Sequence, residues 1–399
     1  MVFDHITPAA PDAILGLTEA FRKDSNPKKI NLGVGVYMDD QGRTPILASV
    51  KLAEQAMLRV ENTKSYLPIS GSPDYGACVQ ELLMGKDPRA ADSARARTAQ
   101  TPGGTGGLRV GADLLRRFLP GATVWLSAPT WPNHRGVFSA AGFPIQEYPY
   151  YDAASRGLAS DALLDALRKI PADDIVVLHV CCHNPTGVDL SREQWHAVAE
   201  IARERGWIPF LDFAYQGLGE GLEEDRAGVA AVLSAGVDFL AAGSFSKNFG
   251  LYNERVGALT VVARDSDAAE AAFSHVKTAV RLLYSNPPSH GGTIVSTILK
   301  DRDLRRLWEN ELASMRRRIA TVRAQLAEQL GRGQSKVDFS FITRQHGMFS
   351  FSGLTDSQVA FLRERKGIYL VAGGRMNVAG INSKNIEYLC QSVVESLDH

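Results

Sequence analysis

The sequence predicts an α/β protein whose large domain is a mainly parallel sheet between helices, with a smaller α+β unit attached. Apolar strand-like runs at residues 123–126, 175–178, 207–211, 238–242 and 256–262 alternate with helical patterns such as 160–169 and 191–205. Alternation of this kind marks parallel sheets covered on both faces. A long helical pattern at 303–330 then leads into short mixed segments, as a helix bridging two units would. Polar and aromatic residues also gather just past the ends of four successive runs, where ligands bind in open α/β sheets.

The 399 residues suffice for one large and one smaller domain. A hydrophobic fraction of 45% and a charged fraction of 22% are those of an ordinary globular protein. Lys plus Arg and Asp plus Glu both number 44, so no electrostatic preference for nucleic acid or an anionic membrane is expected. The basic cluster Met315-Arg316-Arg317-Arg318 falls in a helical pattern near Glu309, Glu311 and Glu328 and reads as a solvated face. Cys78, Cys181, Cys182 and Cys390 form no CxxC pair, which favours a reducing compartment. The opening Met1-Val2-Phe3-Asp4-His5 lacks the basic and apolar regions of a secretory leader. No apolar run approaches the ~20 residues of a membrane helix, so a cytoplasmic protein is expected.

Residues 11–22 read as a short amphipathic helix burying Ile14, Leu15, Leu17 and Phe21. Gly33 and Gly35 lie in an extended apolar segment and mark either a bulge or close approach of a ligand or another backbone. A helix follows over residues 44–61, then a loop carrying the isolated Tyr66. Thr101-Pro102-Gly103-Gly104-Thr105-Gly106-Gly107 runs into the helical pattern of 108–118. Glycine-rich backbone at a helix N-terminus offers free N–H groups and the positive dipole end, which suits a phosphate. It is not a dinucleotide fingerprint, since GxGxxG counted from Gly104 lands on Arg109, and it lacks a P-loop ending. Ser191 and Gln194 form a capping box for the helix after them. Beyond the long helix, strands are expected at 337–342 and 347–351, a helix at 357–366, and Arg375 between turn glycines and an apolar strand.

The run ends carry the chemistry. Pro129-Thr130-Trp131-Pro132-Asn133-His134 follows the first, Cys181-Cys182-His183-Asn184-Pro185-Thr186-Gly187 the second, Asp212-Phe213-Ala214-Tyr215-Gln216-Gly217 the third, and Lys247 the fourth. Lys247 lies between small and aromatic residues, flanked by Ser244 and Ser246 and followed by Arg255. A lysine short of hydration has a lowered pKa and attacks carbonyl groups more readily, while serines and an arginine suit a phosphate. A pyridoxal phosphate site needs such a lysine, a carboxylate to keep the pyridine nitrogen protonated, donors to the ring oxygen, an aromatic cover and a phosphate cup. Candidates for these are Lys247, Asp212, Asn184 with Tyr215, Trp131, and Gly104-Thr105 with Ser244 and Arg255. A metal site at Cys182-His183 lacks further ligands at suitable spacing.

These four motifs, with the stretch Ser244 to Gly257, resemble the aspartate/aromatic aminotransferase family, in order and with family-like spacing, from about Ile14 to Arg375. The resemblance implies the pyridoxal phosphate transferase fold of type I. Residues 45–314 would form the large cofactor-binding domain, and residues 1–44 with 315–399 a small domain built from both termini. It implies that Lys247 holds the cofactor as a Schiff base and shuttles a proton, that Asp212 pairs with the pyridinium nitrogen, and that Tyr215 and Asn184 bond the ring oxygen. Trp131 would stack on the ring, with His134 and His179 behind. Gly104, Thr105, Ser244, Ser246 and Arg255 would surround the phosphate, with Tyr66 reaching in from the second chain of a homodimer. Arg375 would clamp the substrate α-carboxylate, helped by Asn184 and the backbone of Gly35. Arg281 of the other chain would meet a side-chain carboxylate. Amino acids and 2-oxo acids are the implied substrates.

Val36, Thr44, Thr105 and Asn286 look like the aspartate-specific members, whereas Met38, Ser65 and Leu67-Pro68-Ile69 depart from them. Aspartate:2-oxoglutarate transamination is therefore expected, with aromatic amino acids as the alternative substrates. A non-catalytic pyridoxal phosphate-binding regulator would have no need of the two substrate arginines.

Overall fold

The computed structural model describes residues 2–8, 15–85, 93–332 and 337–399. A seven-stranded sheet forms its centre. In chain order the strands are β1 (Ala96–Pro102), β2 (Val124–Ala128), β3 (Ile145–Pro149), β4 (Ile175–His179), β5 (Ile208–Phe213), β6 (Phe239–Ser244) and β7 (Val256–Val262). In space they run β1-β7-β6-β5-β4-β2-β3. Only β7 is antiparallel to its neighbours. Its reversal follows from connectivity: β6 and β7 are adjacent and joined directly by residues 245–255, a link open only to antiparallel strands.

Both faces of the sheet are buried, as the apolar runs require. Alternate residues of β4 divide between two cores. Ile175 and Val177 pack with Leu108, Phe138 and Val276, while Val176 and Leu178 pack with Trp195, Trp207 and Phe239. The glycine-rich stretch is the opening of the helix Gly103–Phe118 itself, not a loop before it. Its glycines permit close packing on the sheet: a Cβ at Gly107 would stand 2.8 Å from the Ala258 carbonyl oxygen, and one at Gly111 would stand 2.5 Å from the Phe210 ring.

The long helix, Arg302–Arg332, buries Trp308, Leu312, Met315, Ile319, Leu326 and Leu330. The adjoining basic cluster is only partly a solvated face. Arg316 donates to the Gly217 carbonyl (2.9 Å), and Arg318 donates to the Ile381 carbonyl (2.8 Å) and lies over the Tyr37 ring. The chain ends meet beyond this helix. Ile30–Asn31 pairs in parallel with Ile368–Tyr369, and Phe349–Phe351 pairs antiparallel with Arg375–Asn377.

Residues 337–342 do not form the expected strand; a 3-10 turn, Ser340–Arg344, stands there. The Asp338 carboxylate accepts from the Ser340 N–H (2.7 Å) and hydroxyl (2.8 Å), a local alternative to extension. The helix expected over 44–61 begins at Ala48, because the Glu311 carboxylate accepts from the Ala48 and Ser49 N–H groups at 2.6 and 3.2 Å. The first helix is Leu15–Lys23; the expected positions 11–14 lie outside the described residues. The expected capping box at Ser191 is formed, and a second stands at Thr355. Among the described residues no helix is long and apolar enough to cross a membrane.

Candidate active site

The sheet register aligns the strand ends. His179 of β4 pairs with Asp212 of β5, Asp212 with Ala242 of β6, and Ser244 with Gly257 of β7. Above these ends lies a cavity of about 380 Å³. Lys247 and Asp212 line it together with Trp131, Asn184, Tyr215 and Gly35, and so do Gly104, Thr105, Ser244, Ser246 and Arg255. Three larger clefts elsewhere hold no comparable set of groups. Eleven of the fourteen sequence-derived site residues therefore line one cavity.

Lys247 sits on the β6–β7 connection with its Nζ 4.8 Å from the centre of the Tyr215 ring. Burial lowers its pKa to about 8, against the opposing pull of Asp212, with Arg255 adding to the depression. Burial works the other way on Asp212, pushing its carboxyl upward. The hydrogen bond from His134 and the charge of Lys247 oppose burial, and that carboxyl is held below the usual range. His134 Nε2 is 2.8 Å from Asp212 Oδ2, and its Nδ1 is 2.8 Å from Thr130 Oγ1. With an ionised Asp212 as acceptor, Nε2 carries the proton and Thr130 donates to Nδ1. His134, His179 and Asp212 have the spacing of a metal site, but both His134 nitrogens are already engaged. Burial drives His179 down to about 3 and pushes His183 well below the usual imidazole range, so both rings are neutral. His183 is fixed between Ser127 and Thr186 and stacks on Tyr150.

Burial raises the Tyr215 phenol, keeping it protonated. Asn184 reaches it at 3.4 Å, and the Asn184 Oδ1 accepts from Arg375 Nη1 at 3.1 Å. Arg375 is 2% exposed, donates from Nη2 to the Gly33 carbonyl (2.6 Å), and lies 4.3 Å from the Phe349 ring centre. Its Nε has no partner, it makes no ion pair among the described residues, and burial lowers its pKa to about 10.

At the other end, Arg255 Nη1 donates to Ser246 Oγ (3.3 Å), which lies 3.2 Å from Ser244 Oγ. The helix Gly103–Phe118 starts here behind Pro102, with no side-chain cap, so its first N–H groups are left for a ligand. A Cβ at Gly103 (φ 71°) would stand 2.3 Å from Arg255, and one at Gly104 would stand 3.1 Å from Ser244.

Tyr66 and Arg281 do not join this cavity. Tyr66 is 93% exposed, and the exposed Arg281 donates to Ser285 at the end of its own helix. Two residues outside the sequence-derived set, Phe349 and Tyr252, also line the cavity. Phe349 occupies the space a Gly35 side chain would need, its ring 2.7 Å from that Cβ position. The Tyr252 hydroxyl accepts from the Tyr37 N–H (2.8 Å), tying the lysine segment to the N-terminal segment.

The family model for class I and II aminotransferases matches residues 27–393. The chain is 52% identical to the aspartate aminotransferase of Escherichia coli K12, covering 99% of this chain and 100% of that one. It is 44% identical to the aromatic-amino-acid aminotransferase of Pseudomonas aeruginosa, over 98% of each. Among solved structures, an aromatic-amino-acid aminotransferase from Burkholderia pseudomallei, covalently bound to pyridoxal phosphate, superposes with a TM-score of 0.96 at 47% identity, over 100% of both chains. By sequence along nearly its whole length and by fold, this chain belongs to the class I and II aminotransferases.

Proposed function

We propose that this chain moves the amino group of L-aspartate to 2-oxoglutarate, giving oxaloacetate and L-glutamate in a ping-pong sequence, with pyridoxal 5′-phosphate held on Lys247. The observation that carries this reading is one cavity lined by both the Lys247 amine and the Asp212 carboxylate, beside a buried arginine that no carboxylate satisfies among the described residues. The donor set fits the cofactor at both ends. Uncapped helix amides with Ser244, Ser246 and Arg255 suit its phosphate, and side chains at Gly103 or Gly104 would crowd that end. When bound, the cofactor supplies an electrophilic carbon for amines and a ring that draws electrons from the substrate α-carbon.

The chain's own groups supply the rest. Asp212, ionised through His134, favours positive charge on the ring nitrogen. The protonated Tyr215 and Asn184 donate toward the ring oxygen, and Trp131 covers the ring face. Lys247, with its pKa near 8, has a neutral fraction at physiological pH, so its Nζ can take the α-proton and return it. Arg375 receives the substrate α-carboxylate as a bidentate pair, helped by Asn184 and the Gly35 backbone.

A homodimer with shared sites belongs to the same proposal: Tyr66 and Arg281 of each chain would complete the other's cavity. Support comes from apolar Leu58, Val60 and Leu282, 76–82% exposed in the segments that carry Tyr66 and Arg281. A bond from Asn286 Nδ2 to the Leu67 carbonyl (3.0 Å) holds those segments together. The pairing of the two chain ends supports a small domain of residues 1–44 and 315–399 beside a large domain of 45–314. Four free, buried cysteines suit a reducing cytoplasm.

Aromatic amino acids are the second reading. The exposed Arg281, bonded to its own helix end, is free to move aside for an uncharged ring. Adding aspartate to the holoenzyme should shift its visible absorption band, and 2-oxoglutarate should reverse the shift. A band indifferent to aspartate but shifted by phenylalanine would favour the second reading, and one indifferent to both would refute transamination.

A further inference from the structure

The chain from His179, the last residue of β4, to Asn184 separates two cavities. His179 and Asn184 face the catalytic one, while Cys181 lines a second, of about 460 Å³, together with Asp189, Leu190, Trp195, Asp225 and His346. The proposed reaction makes no use of the cysteine pair. In an extended strand, neighbouring side chains point to opposite faces. Cys182, however, has φ 53°, and the two sulfurs and an Asp225 oxygen lie within 4.8 Å of one another. Both thiols are free and buried, at 6% and 2% exposure.

Charge decides what such a pair can bind. Asp225 already accepts N–H bonds from Gly217 (2.8 Å), Gly219 (3.0 Å), Glu220 (2.7 Å) and Gly221 (3.4 Å), which fills its oxygens. A divalent metal would need both thiols deprotonated beside Asp225 and Asp189, a concentration of buried negative charge that desolvation opposes. Burial already pushes the Cys182 thiol up to about 12 and raises the Cys181 thiol well above its ordinary value. A neutral ligand that takes up two S–H groups without leaving net charge avoids this penalty.

We propose that Cys181 and Cys182 form a dithiol site for monosubstituted trivalent arsenicals, reached from the cavity behind the catalytic turn. In the condensation, two S–H bonds and the arsenic–oxygen bond break. Two As–S bonds form, and the oxygen leaves as water with both protons. Arsenic stays trivalent and no charge is created. Leu190 and Trp195 give the cavity apolar wall for an organic substituent.

Bridging the sulfurs must disturb the catalytic turn. The Cys182 and His183 N–H groups donate to Asp189 at 2.7 and 2.8 Å, and Asn184 follows directly. Cys182 is tightly backed: a Cβ at Gly347 would stand 2.3 Å from its own Cβ. Inhibition thus rests on the role proposed for Asn184, whereas the adduct itself does not.

The test uses reduced holoenzyme and phenylarsine oxide, read by intact mass, peptide mapping and transaminase activity. One adduct per chain on the Cys181-Cys182 peptide is expected, removable by a small dithiol, with roughly a hundredfold loss of activity, the scale of misplacing a positioning group by ~1 Å. Cys181→Ala should take no adduct and keep its activity in the reagent, whereas Cys78→Ala should behave as wild type. An unmodified wild type, or an adduct mapped to Cys78 or Cys390, overturns the site whatever the enzyme's substrate. An adduct at the pair with full activity overturns its link to the catalytic turn.

Discussion

Two buried arginines, Arg375 and Arg323, share a predicament and resolve it differently. Exposed by 2% and 3%, each is lowered to about 10 by burial, each leaves Nε without a partner, and neither pairs with a carboxylate among the described residues. Arg323, on the long helix, turns its remaining donors onto one loop. It reaches the carbonyls of Gly347 (2.7 Å), His346 (3.3 Å), Ile342 (3.4 Å) and Phe349. Among the described residues Arg375 has only the Gly33 carbonyl and Asn184 Oδ1, and beyond them the Phe349 ring. A buried cation wrapped in carbonyls holds the fold. One left under-satisfied beside a cavity stores a demand for an anion. Phe349 links the two, since Arg323 grips its backbone and its ring lies against Arg375.

The largest effect that could break this contrast is on Arg375. Arg375→Ala should lower kcat/KM by about 2–5 kcal/mol of transition-state binding for aspartate and phenylalanine alike. Its urea midpoint should hold or rise, because an unmet buried charge is gone. Arg281→Ala sharpens the contrast from the surface: aspartate should lose on the order of 2–5 kcal/mol and phenylalanine far less. Equal losses for both substrates would contradict a role for Arg281 in meeting the side-chain carboxylate. Arg323→Met should do the reverse of Arg375→Ala. Several carbonyls lose their donor, so unfolding free energy should fall by about 1–3 kcal/mol, with a smaller change in kcat/KM than for Arg375→Ala.

The smallest effect concerns a third cation, the half-buried Lys247, whose pKa is lowered to about 8. Recombination of apoprotein with pyridoxal phosphate should quicken as pH rises toward 8 and level off above it, because only the neutral amine attacks. The folded lysine holds its proton less tightly than the unfolded one, whose pKa is near 10.4. Between these values the unfolded chain binds more protons, so apoprotein stability should rise with pH across that window. Denaturant midpoints at pH 7 and 10 in wild type and Lys247→Met check the sign.

Much of the site was legible because its groups travel in short motifs at strand ends. Trp131, Asn184, Asp212 and Lys247 each follow an apolar run directly, so recognising the runs placed the chemistry on one edge. Strand β1 escaped notice because Arg97, Thr98, Gln100 and Thr101 read as polar. Several of its polar groups are matched across space, for instance Thr98 Oγ1 to Thr260 Oγ1 at 2.9 Å and Gln100 Nε2 to the Pro288 carbonyl at 2.7 Å. The start of the helix at Ala48 depends on Glu311, 263 residues away. The Tyr252–Tyr37 bond spans 215 residues. Nothing in the sequence sets Arg323 apart within its helical pattern, and only the fold brings the 342–349 loop under it.

The most direct test of an arginine held in reserve for substrate is the binding of succinate, a dicarboxylate that cannot react, to three holoenzymes by calorimetry. Arg375→Ala should bind it at least about 30-fold more weakly than wild type, the lower edge of removing one partner of a buried charge pair. Arg323→Met should stay within about threefold, less than 1 kcal/mol. Wild-type affinity in Arg375→Ala, or an equal loss in both variants, would contradict the division of labour between the two cations.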